Sequence, residues 1–275
     1  MTIDPGSRVP SPHLVSSVDL RLTIYDLQPF EPKMPYLRQM SRELSLCNFK
    51  AVLFDVDGTL VDSMGKIVNG LGDAYEKFTG SRPNDAKIRS LIGLPLNVQL
   101  RNFGKPDASD EEMDEMIQYT ISRYEQHRHL EHELAPAIEA LRLCHQAGLK
   151  TALVTSKNAA EMELFVQHFS GLEYVDVSVT ASDVARPKPD PECVLRACDL
   201  LNVAPQDSLY IGDAIFDMRS ARAAGSTPVA VAYGSASASD LAGEMPAMLL
   251  ETPEDLLAWT RHSLLEPTCR ERKQI

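Results

Sequence analysis

A strand–helix rhythm governs most of this chain and leaves few folds open to it. Lys50–Asp55, Thr151–Thr155, Tyr174–Val179, Ser208–Gly212 and Pro228–Tyr233 are short apolar runs, nearly continuous rather than alternating. Runs of that kind suit strands buried on both faces of a parallel sheet. Amphipathic segments lie between them. Met162, Phe165, Val166 and Phe169 repeat at helical spacing. Asp190 as N-cap and Pro191 as first helical residue precede Val194, Leu195, Cys198 and Leu201. The segment through Ile138, Leu141 and Cys144 stops at Gly148, a residue suited to the position after a helix. The pattern predicts an α/β fold, a doubly wound parallel sheet with a Rossmann-like core.

One interval breaks the rhythm. Residues 66–135 hold no convincing strand, while Ile67, Leu71, Ala74, Tyr75 and Phe78 share a helical face. Ser109-Asp-Glu-Glu112 is a capping box that opens a second face through Met113, Met116, Ile117, Thr120 and Tyr124. This stretch is expected to be an inserted helical cap. Ligands bind beyond the carboxyl ends of parallel strands, so an insertion just after the first strand would sit over the site as a lid. The expected organisation is an extension at 1–47 that is poorly ordered, a catalytic core at 48–65 and 136–262, the cap at 66–135 and a polar tail at 263–275. Within the extension, Val18, Leu20, Leu22 and Ile24 alternate with polar residues, a pattern open to a short strand.

Charge and cysteine usage narrow the class. Lys and Arg number 27 against 39 Asp and Glu, a net charge of −12. An acidic chain has no general attraction to nucleic acid or anionic lipid, so neither is an expected partner. No apolar run reaches the roughly 18–20 residues that span a bilayer, and the N-terminus carries no signal-peptide pattern. Five cysteines without paired-motif spacing fit reduced thiols in a cytoplasmic protein.

The chemistry concentrates at strand ends. Phe54-Asp55-Val56-Asp57-Gly58-Thr59 sets two carboxylates two residues apart at the end of a strand, projecting to one side. Val154-Thr155-Ser156-Lys157 offers hydroxyls and free backbone N–H groups before a helix N-terminus, a cradle for phosphate. Prolines flank Lys188 in Arg186-Pro-Lys188-Pro-Asp-Pro191 and stiffen its backbone. Gly212-Asp213-Ala-Ile-Phe-Asp217 adds two more carboxylates at another strand end. Several carboxylates, one lysine and one hydroxyl on a common rim suit a hard divalent cation and a phosphoryl group.

Asp55-x-Asp57-Gly58-Thr59, Thr155, Lys188 and Gly212-Asp213-x-x-x-Asp217, in that order, resemble the four motifs of the haloacid dehalogenase superfamily of phosphatases. The likeness covers about residues 48–262. Within the superfamily the sequence is most similar to phosphoglycolate phosphatases and their inorganic pyrophosphatase relatives. The resemblance implies that Asp55 attacks phosphorus to give an aspartyl-phosphate, and that Asp57, its pKa raised by its surroundings, acts as acid and then base. It implies Mg²⁺ held by Asp55, Asp57 (through its backbone carbonyl) and Asp213, with Asp217 in support. Thr155, Ser156 and Lys188 would hold the phosphoryl oxygens.

Two positions depart from the family pattern. Ala214 stands where relatives often carry Thr or Ser, and Ala137 replaces a common glycine. In the cap, Ile92-Gly93-Leu94-Pro95 resembles the loop that closes over the site, and Arg89, Arg101, Lys105 and Arg123 are candidate cations for a substrate carboxylate. His127, His129 and His132 read as surface residues, Ser235–Ser239 as a linker or helix cap, and Trp259 as a cover for the core. The expected activity is Mg²⁺-dependent hydrolysis of a small phosphorylated metabolite of the phosphoglycolate type, by a monomer or homodimer. Inorganic pyrophosphatase is the alternative, followed by a sugar-phosphate mutase or an inactive binding protein.

Overall fold

The computed structural model describes residues 44–265 of the 275-residue chain. The alternating stretch at Val18–Ile24 and most of the extension and tail lie outside the described residues. Six parallel strands form the main sheet in the order β5-β4-β1-β6-β7-β8. They are β1 (Ala51–Phe54), β4 (Lys150–Val154), β5 (Val177–Val179), β6 (Ser208–Gly212), β7 (Thr227–Val231) and β8 (Met248–Leu250). β1 lies between β4 and β6, with Phe54 opposite Leu153 on one side and Ile211 on the other.

Successive residues of a strand point to opposite faces, and β1 feeds two cores accordingly. Val52 and Phe54 pack with Leu209 and Ile211 beneath α5 (Ala135–Gln146) and α10 (Pro253–Leu265). Ala51 and Leu53 pack with Tyr210 against α7 (Glu192–Leu201) and α8 (Ile215–Ala224). Burial on both faces is why the strand sequences run apolar without alternation. Trp259 covers the first of these cores, and its indole N–H donates to the Leu44 carbonyl at 3.2 Å.

A separate helical layer has its own core. It comprises α1 (Met64–Thr79), α2 (Asp85–Arg89), α3 (Leu96–Phe103) and α4 (Asp110–Gln126). Leu71, Tyr75, Ile88, Leu100 and Met116 meet at its centre. The capping box of α4 forms as the sequence indicates, with Ser109 and Glu112 each satisfying the other's backbone N–H.

Several boundaries differ from the sequence reading. The strand expected at Tyr174–Val179 shrinks to Val177–Val179, because Leu172–Tyr174 forms a 3₁₀ turn. Helix α7 begins after Pro191 rather than at it, and Asp190 accepts from the Glu192 N–H. β2 (Val61–Asp62) pairs antiparallel with β3 (His132–Glu133), a two-residue ribbon whose second strand falls within 66–135, where no strand is expected. Both residues of β3 are exposed, so no apolar signature marks it. The ribbon joins the two chain crossings between sheet and helical layer. β8 is also absent from the sequence reading, for a different reason: it is apolar and buried but only three residues long.

Cys144, Cys193 and Cys198 are free and buried, as expected of reduced thiols. Cys47 departs from that expectation: it is disulfide-bonded. Among the described residues, no helix is long and apolar enough to cross a membrane.

Candidate active site

The site forms where β1, β4 and β6 release their chains at the carboxyl edge. Asp55 is the first residue past β1, and its N–H still donates to the Ile211 carbonyl at 2.9 Å. Thr155 extends β4 in the same way, donating to the Val179 carbonyl at 3.0 Å. The sheet's own ladder therefore fixes both backbones. Gly58, at φ +79°, turns the chain back towards Val61. A Cβ there would lie 2.3 Å from Asp213 Oδ2, so only glycine lets these two loops meet.

Lys188 is the buried hub, with 1% of its surface exposed. Its ammonium lies 2.7 Å from Asp217 Oδ1, 3.0 Å from Asp55 Oδ1 and 3.0 Å from the Tyr210 hydroxyl. Burial alone would lower the Lys188 pKa, but Asp217 and Asp55 outweigh it and hold the ammonium charged. Asp217 uses its other oxygen to accept from the Ala214 N–H at 2.9 Å. Its carboxylate thus orients Lys188 and caps α8 together. Asp213 accepts from the Thr59 hydroxyl at 3.2 Å and from the Ser235 N–H at 2.6 Å. Ser235, read from the sequence as linker, is a wall of the site.

Asp57 sits differently from the expectation. The Lys157 ammonium approaches it at 2.7 and 2.9 Å, a two-pronged ion pair. Burial pushes the Asp57 carboxyl up, but Lys157 and then Lys66 more than offset it, so the net direction is down. The raised pKa expected of a general acid is therefore absent while this pair stands. Asp55 departs the other way. Burial raises its pKa well above the usual carboxylate range, Lys188 opposes this, and Asp217 and Asp213 add to it.

The helical layer closes over this edge. Ile67, Ile92, Leu94, Leu96, Gln99 and Tyr124 face Asp55, Asp57, Thr155, Lys157 and Asp213 across one pocket. Ser156 donates its hydroxyl to the Gly93 carbonyl at 2.6 Å, a direct bond between the core and the helical layer. Gly93 has φ +99°, and a Cβ on it would lie 2.7 Å from that of Ala214. The small residue at 214 lies against the closing loop.

Of the residues singled out in the sequence, Asp55, Asp57, Thr155, Ser156, Asp213 and Gly93 line the pocket. Lys188 and Asp217 stand behind Asp55. The cap cations do not reach the pocket. Arg89 is exposed at the end of α2, and Arg101 donates to the Pro106 and Ala108 carbonyls. Lys105 pairs with Glu112, and Arg123 with Asp73. His127 joins Arg123 on Asp73 at 2.8 Å. Lys157, Tyr210 and Gln99 were not foreseen as site residues. Lys157 follows Thr155 by two residues, which was the one available signal; the other two read as ordinary strand and helix positions.

A family model for haloacid dehalogenase-like hydrolases matches residues 52–231. The chain belongs to the haloacid dehalogenase-like hydrolases. A pyrophosphatase PpaX from Bacillus pumilus is 31% identical over 210 residues, covering 75% of this chain and 94% of that protein. The PpaX of Bacillus velezensis is 30% identical over 208 residues, with 75% and 94% covered. Among solved structures, a hydrolase from Pseudomonas syringae matches with a TM-score of 0.70 at 26% identity, covering 78% of this chain and 98% of that one. A structure described as a predicted phosphoglycolate phosphatase from Haemophilus somnus shares the fold, with a TM-score of 0.68 at 20% identity, covering 76% and 97%.

The divalent cation that a haloacid dehalogenase-like fold implies can be tested against the donors present. Asp55, Asp213 and Asp217 each bring a carboxylate oxygen within 4.8 Å of the others, all buried. Burial first, and Asp217 second, push the Asp213 carboxyl up to about 7. Buried like charges in contact are costly without a counter-ion, and Lys188 serves only one side of the group. Hard oxygen donors of this kind fit Mg²⁺. Asp217 already bonds Lys188 and Ala214, which leaves Asp55 and Asp213 as the better placed pair.

Proposed function

We propose that this chain is a Mg²⁺-dependent phosphatase that hydrolyses a small phosphomonoester through an aspartyl-phosphate on Asp55. The observation that carries the reading is the division of labour between two aspartates two residues apart. Asp55 is fixed by the β-ladder and held on one oxygen by Lys188, which itself is locked by Asp217. Asp57, which lines the same pocket, is held by the Lys157 ammonium instead.

In this reading an Asp55 oxygen attacks phosphorus and the bond from phosphorus to the leaving oxygen breaks. The leaving oxygen takes a proton from Asp57. Water then attacks the phosphorus of the aspartyl-phosphate, gives its proton to Asp57 and releases inorganic phosphate, regenerating Asp55. Asp57 cannot donate while Lys157 holds it ionised. A phosphoryl dianion beside Lys157 is the group that would draw the ammonium away and open that pair. Thr155 and the N–H groups that follow β4 would bind phosphoryl oxygens, and Lys188 would keep Asp55 aligned. A divalent cation held by Asp55, Asp213 and the Asp57 carbonyl would keep the carboxylates ionised and neutralise substrate charge. Residues 66–135 would act as the lid that shuts water out, hinged at the β2–β3 ribbon.

The test is Asp55→Asn against p-nitrophenyl phosphate with Mg²⁺ present. Loss of a nucleophile should lower turnover by about 10³–10⁴-fold or more, with the fold intact by thermal melt. Turnover close to wild type would reject Asp55 as the nucleophile.

Hydrolysis of inorganic pyrophosphate is the second reading, favoured by the PpaX relatives and by Lys157 as a cation inside the pocket. Phosphate release from pyrophosphate and phosphoglycolate, measured side by side, separates the two.

A further inference from the structure

The lid half of the pocket carries one polar group that nothing in the fold satisfies. Gln99, on α3, is 7% exposed and lines the pocket, and its Oε1 is buried without a hydrogen-bond partner. The orientation of the amide is decided by its other end. Nε2 donates to the Leu94 carbonyl at 2.6 Å. Flipping the amide would set two acceptors against each other at that distance, so the oxygen is the atom that faces away from Leu94. The backbone is held as well, since the Tyr75 hydroxyl donates to the Gln99 carbonyl at 2.8 Å.

A buried acceptor left unpaired costs about 1–3 kcal/mol, and among the described residues only Gln99 and Ser63 carry such an atom. Around Gln99 the lid wall is apolar: Ile67, Ile92, Leu94 and Leu96, with the ring of Tyr124. None of the four lid cations singled out in the sequence lines it. On the core side, Asp55, Asp57, Asp213 and Glu161 face the pocket against Lys157 alone. A leaving group with a second negative charge would therefore find no unpaired cation and one unpaired acceptor. A neutral leaving group with an O–H or N–H donor would meet the acceptor it needs.

We infer that Gln99 is a specificity-determining residue whose Oε1 accepts a hydrogen bond from a hydroxyl or amino group on the leaving part of a neutral alcohol phosphate. This rests on the phosphatase reading above and names its substrate class. It places pyrophosphate and phosphoglycolate behind polyol-type phosphates as substrates.

The experiment uses the full chain with Mg²⁺ and a matched pair, glycerol 3-phosphate and propyl phosphate, with phosphoglycolate, pyrophosphate and p-nitrophenyl phosphate alongside. Wild type should favour glycerol 3-phosphate over propyl phosphate by about 10–100-fold in kcat/KM, the value of one buried hydrogen bond. Gln99→Leu should bring that ratio within about threefold, mainly by loss on glycerol 3-phosphate. The wild-type comparison stands even if the variant folds poorly. Equal turnover of the pair by wild type, a preference for pyrophosphate or phosphoglycolate, or an unchanged ratio in Gln99→Leu would overturn the inference and leave the acceptor satisfied by water alone. Absence of phosphate release from every substrate, p-nitrophenyl phosphate included, would instead overturn the phosphatase reading beneath it.

Discussion

The two walls of the pocket are built on opposite principles. The core wall is a set of charges held out of water: Lys188 with Asp55 and Asp217, Asp57 with Lys157, and Asp213 on Thr59 and Ser235. The lid wall is apolar apart from Gln99 and the Tyr124 hydroxyl, and its own charged cluster, Asp73 with Arg82, Arg123 and His127, lies on partly exposed surface. Buried charges hold geometry but tolerate no missing member, whereas exposed pairs contribute little either way. We propose that chemistry belongs to the core wall and selection to the helical wall that faces it.

Removing one charge from each wall gives the sharpest contrast. Lys188→Met leaves Asp55 and Asp217 buried without their shared cation, which should cost about 3–5 kcal/mol and lower Tm by roughly 10 °C. Arg123→Met, in the lid cluster, should cost under about 1 kcal/mol. Similar losses in thermal melts of the two variants would break the comparison.

The pH dependence of stability follows from Asp213, whose carboxyl is held up to about 7 by burial and then by Asp217. The unfolded carboxyl gives up its proton near its ordinary value of 3.8, before the folded one does. The folded state then binds more protons, so stability falls as pH climbs from about 4 to about 7 and levels off above that. Asp55 is shifted in the same direction, again chiefly by burial. Metal-free melts should therefore show Tm declining across that window. Asp213→Asn should flatten the decline, and Mg²⁺ at pH 8 should reverse it. Asp57, held down by Lys157 against its burial, works the other way and loses its contribution only as pH falls through its lowered value.

Smaller effects belong to the seam between the walls. Gly93→Val adds a side chain at positive φ, with its Cβ 2.7 Å from that of Ala214. It should hold the helical layer off the core and lower kcat/KM by about 10–100-fold, while the strain at positive φ, about 1–3 kcal/mol, lowers Tm by several degrees. Ser156→Ala removes the hydroxyl donated to Gly93 and should cost less than about tenfold, the value of one hydrogen bond.

What the sequence disclosed follows the same division. The core motifs were legible because strand ends fix their side chains through backbone pairing, so Asp55, Thr155 and Asp213 fall together wherever the sheet forms. Lys157 belongs to a legible motif, but its partner Asp57 is a hundred residues away, and the pair becomes visible only once β1 and β4 lie side by side. Ser235 reads as linker because it contributes a backbone N–H, which every non-proline residue carries. The lid cations misled for a physical reason. Long basic side chains on a helix are equally able to reach a ligand or a neighbouring carbonyl, and Arg101 took the carbonyls. Gln99 carried no signal at all, since an unpartnered acceptor is visible only in the folded chain.

The most direct test of the division is single-turnover hydrolysis quenched in acid, followed by mass mapping of the protein. Asp55 as nucleophile requires one phosphoryl group on the peptide that contains it, formed and lost at rates consistent with turnover, and missing from Asp55→Asn. Phosphate released in a burst with no phosphorylated peptide at any quench time, or with the label on another residue, would contradict it.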